Sequence, residues 1–262
     1  MWLHYRQIMK FRKFHASGNS FLVLSEDPYT LSSELRRRLC NAHYGLGADG
    51  IVAIRLNDTE KEPDFEMFYW NADGEPGSFC GNGARLALWL AYEATGKSYF
   101  RFLAADGAHE GWIVETEPIW IGVTLRLRRS PQPRPEGGYW VDTGSPHLLL
   151  PVSNYEELRR ISMESMARPL RQETAYDPGG VNVSFYAPCE EGYAIRTYER
   201  GVEAETQSCG TAAVALAVLS GKEHLSLYPP GGHLLVTRLS ETCFRLEGPL
   251  VEIARGCWCG FS

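Results

Sequence analysis

The sequence predicts an α/β protein of the α+β kind, built as two pseudo-symmetric halves, and three observations support this. First, a polar glycine-rich loop, Asn71-Ala72-Asp73-Gly74-Glu75-Pro76-Gly77-Ser78-Phe79-Cys80, runs through Gly81-Asn82-Gly83-Ala84-Arg85 into an apolar helical stretch, Leu86 to Tyr92. Second, the arrangement recurs: Glu199-Arg200-Gly201 leads through Ser208-Cys209-Gly210-Thr211 into another apolar helix. Third, the elements before each cysteine follow a similar order: strand, polar turn, strand, helix, glycine turn, strand. Cys80 and Cys209 lie about half the chain apart, so the pattern reads as an internal repeat. Each half is expected to be a mainly antiparallel β-sheet or barrel around the central helix that starts at its cysteine. Packed together, two such halves predict a cleft between them, the common place for a ligand.

Taken in order, Ile8 to Leu24 reads as two strands broken by the turn residues His15-Ala16-Ser17-Gly18-Asn19-Ser20. Ser32 to His43 has helical spacing of its leucines and is stopped by Gly45-Leu46-Gly47-Ala48-Asp49-Gly50. Strands follow at Ile51–Ile54 and Phe65–Trp70, then, past the Cys80 helix, at Tyr99–Leu103, Gly111–Glu115 and Trp120–Leu127. Residues 128–138 hold the densest proline and glycine in the chain and predict a loop or linker at its midpoint. The first domain is therefore set at 1–127 and the second at 128–246. The second half reads as strands at Tyr139–Thr143, Leu148–Leu150, Val181–Tyr186 and Tyr193–Tyr198, with a helix over Tyr155–Met166. A turn at Asp177-Pro178-Gly179-Gly180 precedes the third of these strands. Further strands are predicted near His233–Arg238 and Cys243–Leu246.

Composition limits the function classes. At 262 residues and 44% apolar, one large or two medium domains with a sizeable core are expected. A net charge of −6 argues against nucleic acid or an anionic membrane as partner. No apolar run is long enough to span a bilayer, and Met1 to Phe14 lacks the apolar core of a signal peptide, so a cytoplasmic protein is expected. Seven cysteines, an odd number at irregular spacing, fit reduced thiols better than a disulfide framework. Cys257-Trp258-Cys259 lacks a second ligand pair and is read as part of a packed terminal strand, with no metal.

The two cysteines suggest a chemistry. A helix N-terminus favours thiolate over thiol and holds a carboxylate. Removing the α-proton of an amino acid and returning it to the opposite face needs one thiolate and one thiol, on opposite sides. Cysteine suits this because its ordinary pKa of about 8.5 lies near neutrality. His147 in one polar turn and Glu199 in another are available as acid–base partners.

These residues resemble the diaminopimelate epimerase family. Asn71-Ala72-Asp73-Gly74 with Cys80-Gly81-Asn82-Gly83-Ala84-Arg85 looks like its first active-site signature. Phe14–Phe21, Gly45–Gly50, Gly144-Ser145-Pro146-His147, Gly180-Val181-Asn182-Val183, Tyr198–Val202 and Cys209-Gly210-Thr211 follow in the family's order. The resemblance implies a cofactor-independent isomerase, with no metal, that converts LL-diaminopimelate to the meso form for lysine and peptidoglycan precursors, and a homodimer. It implies Cys80 and Cys209 as the acid–base pair, with His147 and Glu199 as their respective proton partners. It implies substrate contacts at Asn19, Asn71, Gly81, Asn82, Asn182, Glu199, Arg200, Gly210 and Thr211. It also implies that residues 247–262 return to the first domain; residues 1–8 precede the family's usual start, which leaves the initiator open between Met1 and Met9.

Three positions depart from the family pattern: Ser145 stands for asparagine, Ser20 for aspartate and Ala212 for glycine. The first is expected to shorten a substrate contact and the last to limit close approach of ligand to backbone. Rival readings stay open: a racemase of another amino acid, a hydroxyproline-dehydratase-like lyase, and a thiol redox protein, the last disfavoured by the lack of a Cys-x-x-Cys pair.

Overall fold

The computed structural model describes residues 8–57, 63–135, 137–173 and 178–260; Trp2, Asp177 and the residues preceding Met9, apart from Ile8, lie outside these. The chain divides into two compact units. One runs through Ile121 and takes back the C-terminal segment from Leu250; the other is Gly122–Pro249.

The first unit contains β1 (Ile8–Ala16), β2 (Asn19–Leu24), α1 (Ser33–Cys40), β3 (Gly50–Leu56), β4 (Phe65–Asn71), α2 (Gly81–Thr95), β5 (Tyr99–Ala104) and β6 (Gly107–Thr116). The boundary falls inside β7 (Ile119–Arg126). In the second unit come β8 (Arg129–Pro133), β9 (Tyr139–Asp142), β10 (Pro146–Pro151), α3 (Tyr155–Arg160), α4 (Met163–Arg171), β11 (Asn182–Cys189) and β12 (Gly192–Glu199). They are followed by β13 (Ala204–Thr206), α5 (Gly210–Ser220), β14 (His224–Tyr228), β15 (Leu234–Arg238) and β16 (Cys243–Pro249), and the chain closes on β17 (Val251–Cys259).

Pairing explains the repeat. In the first unit β1 is antiparallel to both β2 and β17, β2 is parallel to β3, β3 antiparallel to β4, β4 parallel to β5 and β5 antiparallel to β6. The second unit repeats the series: β9 antiparallel to β10, β10 parallel to β11, β11 antiparallel to β12, β12 parallel to β14, β14 antiparallel to β15. A parallel pair needs a crossover. In both units the second crossover is the cysteine-started helix, α2 or α5. The expected α+β class of two similar, mainly antiparallel units is observed.

Both crossover helices are apolar nearly all round, the pattern of a helix enclosed by its unit. Ala84, Leu86, Ala87, Leu88 and Ala91 of α2 are buried, and α2 packs on β1, β3, β4 and β6. Ala212 through Ala217 of α5 are buried, and α5 packs on β10, β14, β15 and β16. Each ends on a glycine with left-handed backbone, Gly96 at φ 72° and Gly221 at φ 68°, which stops the helix without a Cβ penalty. Both sheet and helix thus serve to place a cysteine at the first residue outside a helix.

Several element boundaries differ from the sequence reading. The helix expected over Tyr155–Met166 is two, because Ser162 accepts the Ser165 N–H and restarts the chain as α4. The expected helix to His43 stops at Cys40, where the Asn41 side chain captures the His43 and Tyr44 N–H groups. The proline-rich stretch at 128–138 contains β8, an irregular partner of β9 that tolerates two prolines. Cys257-Trp258-Cys259 lies in β17 against β1, with Trp258 turned toward the Met9 cluster and both cysteines exposed.

Candidate active site

In the first unit Cys80 is the N-cap of α2, in extended backbone at φ −123°, and its Sγ accepts the Gly83 N–H at 3.5 Å. A sulfur that accepts a helix N–H is favoured as thiolate. The loop leading to it is folded back on β4: Asn71 exchanges backbone bonds with Glu75 and Gly74, and Gly77 donates to the Tyr69 carbonyl. A Cβ at Gly77 would meet the Tyr69 ring at 2.4 Å and Asn71 Oδ1 at 3.1 Å, so only glycine allows the loop to close beside Asn71.

Asn19 follows a two-residue turn, Ser17 at φ 50° and Gly18 at φ 84°, the left-handed pair that suits a tight hairpin. Its Oδ1 is buried and finds no partner among the described residues. Ser20 donates from both backbone and hydroxyl to Asp49 Oδ2, at 2.7 and 2.9 Å, so the residue that departs from the family pattern ties this turn to the Gly45–Gly50 loop. Asn82, two residues past Cys80, is almost wholly buried and its Oδ1 accepts from Arg85 at 2.6 Å.

In the second unit Cys209 is the N-cap of α5 at φ −118°, nearly the backbone of Cys80. Its Sγ lies 3.3 Å from Thr211 Oγ1, and it shares a hydrogen bond with the Glu199 carboxylate. Burial pushes the Cys209 thiol well above its ordinary range, and the charge of Glu199 and the bond to it add to the rise; Thr211 and the Ala212 N–H act the other way. Burial also raises Glu199, while hydrogen bonds from Thr206 and Cys209 pull it back. Together these directions favour the thiol over the thiolate at Cys209. Cys80 and Cys209 are thus alike in position but set in different surroundings.

His147 on β10 is fully buried beside Asn182, its register partner on β11. Neither ring nitrogen finds a hydrogen-bond partner among the described residues. Burial, helped by the positive charge of Arg200, lowers its pKa to about 3, so the imidazole is held neutral in the fold. Asn182 is occupied as a scaffold: its Nδ2 donates to Ser145 Oγ at 2.7 Å and the Pro146 carbonyl at 3.1 Å, and its Oδ1 accepts the Arg200 N–H at 2.8 Å. Ser145 therefore supports Asn182. Ala212 is wholly buried in the second unit. The Thr143 hydroxyl donates to the Thr211 carbonyl at 2.9 Å, fixing the first turn of α5 to the β9–β10 turn. The second unit thus gathers Glu199 with Cys209, and His147 with Asn182 and Arg200; the first gathers Cys80, Asn82 and, through Arg85, the Asn19 turn.

Comparison with known proteins adds the decisive observation. A family profile described as diaminopimelate epimerase matches residues 11–113 and 139–238. The chain belongs to the diaminopimelate epimerase family. It is 35% identical over 257 residues to the diaminopimelate epimerase of Chlorobaculum tepidum, covering 92% of this chain and 97% of that one. It is 32% identical over 264 residues to that of Aquifex aeolicus, covering 89% and 91%. A crystal structure of a hydroxyproline epimerase from Agrobacterium vitis shares the fold, with a TM-score of 0.68 at 11% identity, covering 97% and 93%. As a member of the diaminopimelate epimerase family the chain is an isomerase.

Four residues around these groups were not singled out in the sequence. Thr206, donating to Glu199, lies on the three-residue β13, too short to read from periodicity. Thr143 and Ser17 are turn residues without a distinguishing pattern. Arg85 stood inside the matched signature, and the signal that marks it is a charged residue set among Ala84, Leu86, Ala87 and Leu88 in the apolar first half of the helix.

Proposed function

We propose that this diaminopimelate epimerase family member interconverts LL- and meso-diaminopimelate without a cofactor, in the cytoplasmic supply of lysine and peptidoglycan precursors. The reading is carried by one observation: each unit starts its central helix at a cysteine, Cys80 and Cys209, in nearly the same extended backbone. Cys80 as thiolate removes the α-hydrogen as a proton, leaving the electron pair on carbon. Cys209 then gives its S–H proton to the opposite face, inverting the centre, and becomes the thiolate. His147 and Glu199 serve as the proton partners of Cys80 and Cys209, and the reverse reaction exchanges the roles.

The α2 and α5 N-termini, through Gly81-Asn82 and Gly210-Thr211, receive the substrate carboxylate and the charge that develops in the transition state. Asn19, Asn71, Asn82 and Arg200 contact its polar groups, with Asn182 supporting Arg200. The test is turnover of LL-diaminopimelate by the wild type, Cys80→Ala and Cys209→Ala with nothing added. The wild type is expected to turn over and each variant to be inactive; full activity in either variant removes the two-thiol mechanism.

A second reading, racemisation of another amino acid, is favoured by Ser145, whose hydroxyl is bonded to Asn182 where the family pattern has asparagine. Turnover of a different amino acid with none of LL-diaminopimelate decides for it.

A further inference from the structure

Arg85 is a charged side chain fully buried within the first unit, one turn into α2 from Cys80. A guanidinium removed from water is costly unless its surroundings answer it. Two of the groups that answer it are the Asn82 amide, on the first turn of the same helix, and the Ser17 hydroxyl, on the β1–β2 turn. Its Nη2 donates to Asn82 Oδ1 at 2.6 Å, and Nη1 and Nη2 reach Ser17 Oγ at 3.4 and 3.3 Å. Ser17 is itself buried and holds φ at 50°, a backbone that a side chain with a Cβ seldom adopts. It lies two residues before Asn19, and Asn82 lies two residues after Cys80.

The consequence is a single cation that joins the hairpin turn carrying Asn19 to the first turn of the Cys80 helix. Asn82's amide is also turned by it: with Oδ1 on Arg85, Nδ2 is the donor edge. We propose that Arg85 is a positioning residue that fixes the Asn82 amide as donor, holds the strained Ser17–Asn19 turn in register with Cys80, and lends the Cys80 thiolate a fixed positive charge. Burial lowers its pKa to about 10 and the Cys80 charge acts to raise it, so the guanidinium stays cationic at neutral pH. That attraction is mutual.

The positioning part rests on the epimerase reading above; the thiolate part does not. Arg85→Gln, Arg85→Lys and Ser17→Ala, each in the full chain, separate them. Two quantities are read: kcat and KM for LL-diaminopimelate, and the rate at which iodoacetamide alkylates Cys80 and Cys209 at pH 7, resolved by peptide mass spectrometry. Arg85→Gln is expected to slow Cys80 alkylation, by up to the roughly tenfold that one pKa unit allows, with Cys209 unchanged. Arg85→Lys is expected to restore the alkylation rate but leave KM raised, because an ammonium cannot span Asn82 and Ser17 as the planar fork does. Ser17→Ala should raise KM with Cys80 alkylation as in the wild type, and it keeps the test readable if Arg85→Gln does not fold.

Unchanged Cys80 alkylation in Arg85→Gln, a Cys80 rate in Arg85→Lys far below the wild type, or a wild-type KM in Ser17→Ala overturns the inference. If the wild type fails to turn over the substrate while Cys80 alkylation still follows the charge at position 85, the epimerase reading has failed and the thiolate part stands.

Discussion

His147 leaves a signature in the acid stability of the protein that can be worked out from its burial. In the unfolded chain a histidine takes up a proton near pH 6.5. In the fold, buried and with Arg200 nearby, it does so only near pH 3. Below pH 6.5 the unfolded state therefore binds one more proton, and the fold loses about 1.4 kcal/mol for each pH unit until the native pKa is reached. From pH 7 to pH 5 the loss due to His147 alone is about 2 kcal/mol. His147→Asn removes that titration.

Urea denaturation of wild type and variant at both pH values isolates the effect, since each protein is compared with itself at pH 7. The wild type is expected to lose about 2 kcal/mol more than the variant over the interval. Parallel losses would mean that the imidazole titrates in the fold near its ordinary value, and the neutral buried imidazole would have to be abandoned.

Other predictions follow from the same contacts. Glu199→Gln takes away the charge that adds to burial in keeping the Cys209 thiol protonated, so iodoacetamide should react with Cys209 faster while turnover falls by about 10²-fold; slower alkylation would contradict the pairing. Asn182→Ala deletes three hydrogen bonds within the second unit and should cost about 2–3 kcal/mol of stability by urea titration. A variant as stable as the wild type would show that Ser145, Pro146 and Arg200 are held by other means.

What could be read in the sequence was what depends on chain-local chemistry. Gly18, Gly77 and the N-cap cysteines announce turns and helix starts through composition, and the repeat of strand, turn and Cys-helix is visible because both crossovers need the same order of elements. Asp49 answering Ser20, Asn182 answering Ser145 and Thr206 answering Glu199 could not be read, because each joins residues brought together only by strand pairing or loop packing. The split at Ile161 was missed because the apolar spacing continues across it and only the Ser162 side chain marks the break. Within 128–138 the prolines pointed to a loop, yet an irregular strand with few ladder bonds accommodates them.

The central claim is that one thiol takes the α-proton and the other returns a different one from the opposite side. Incubating the protein with LL-diaminopimelate in deuterated water, with no pyridoxal phosphate, tests it directly. The account predicts meso-diaminopimelate carrying deuterium at the inverted carbon. Inversion without deuterium at that carbon, or no inversion at all, would contradict it.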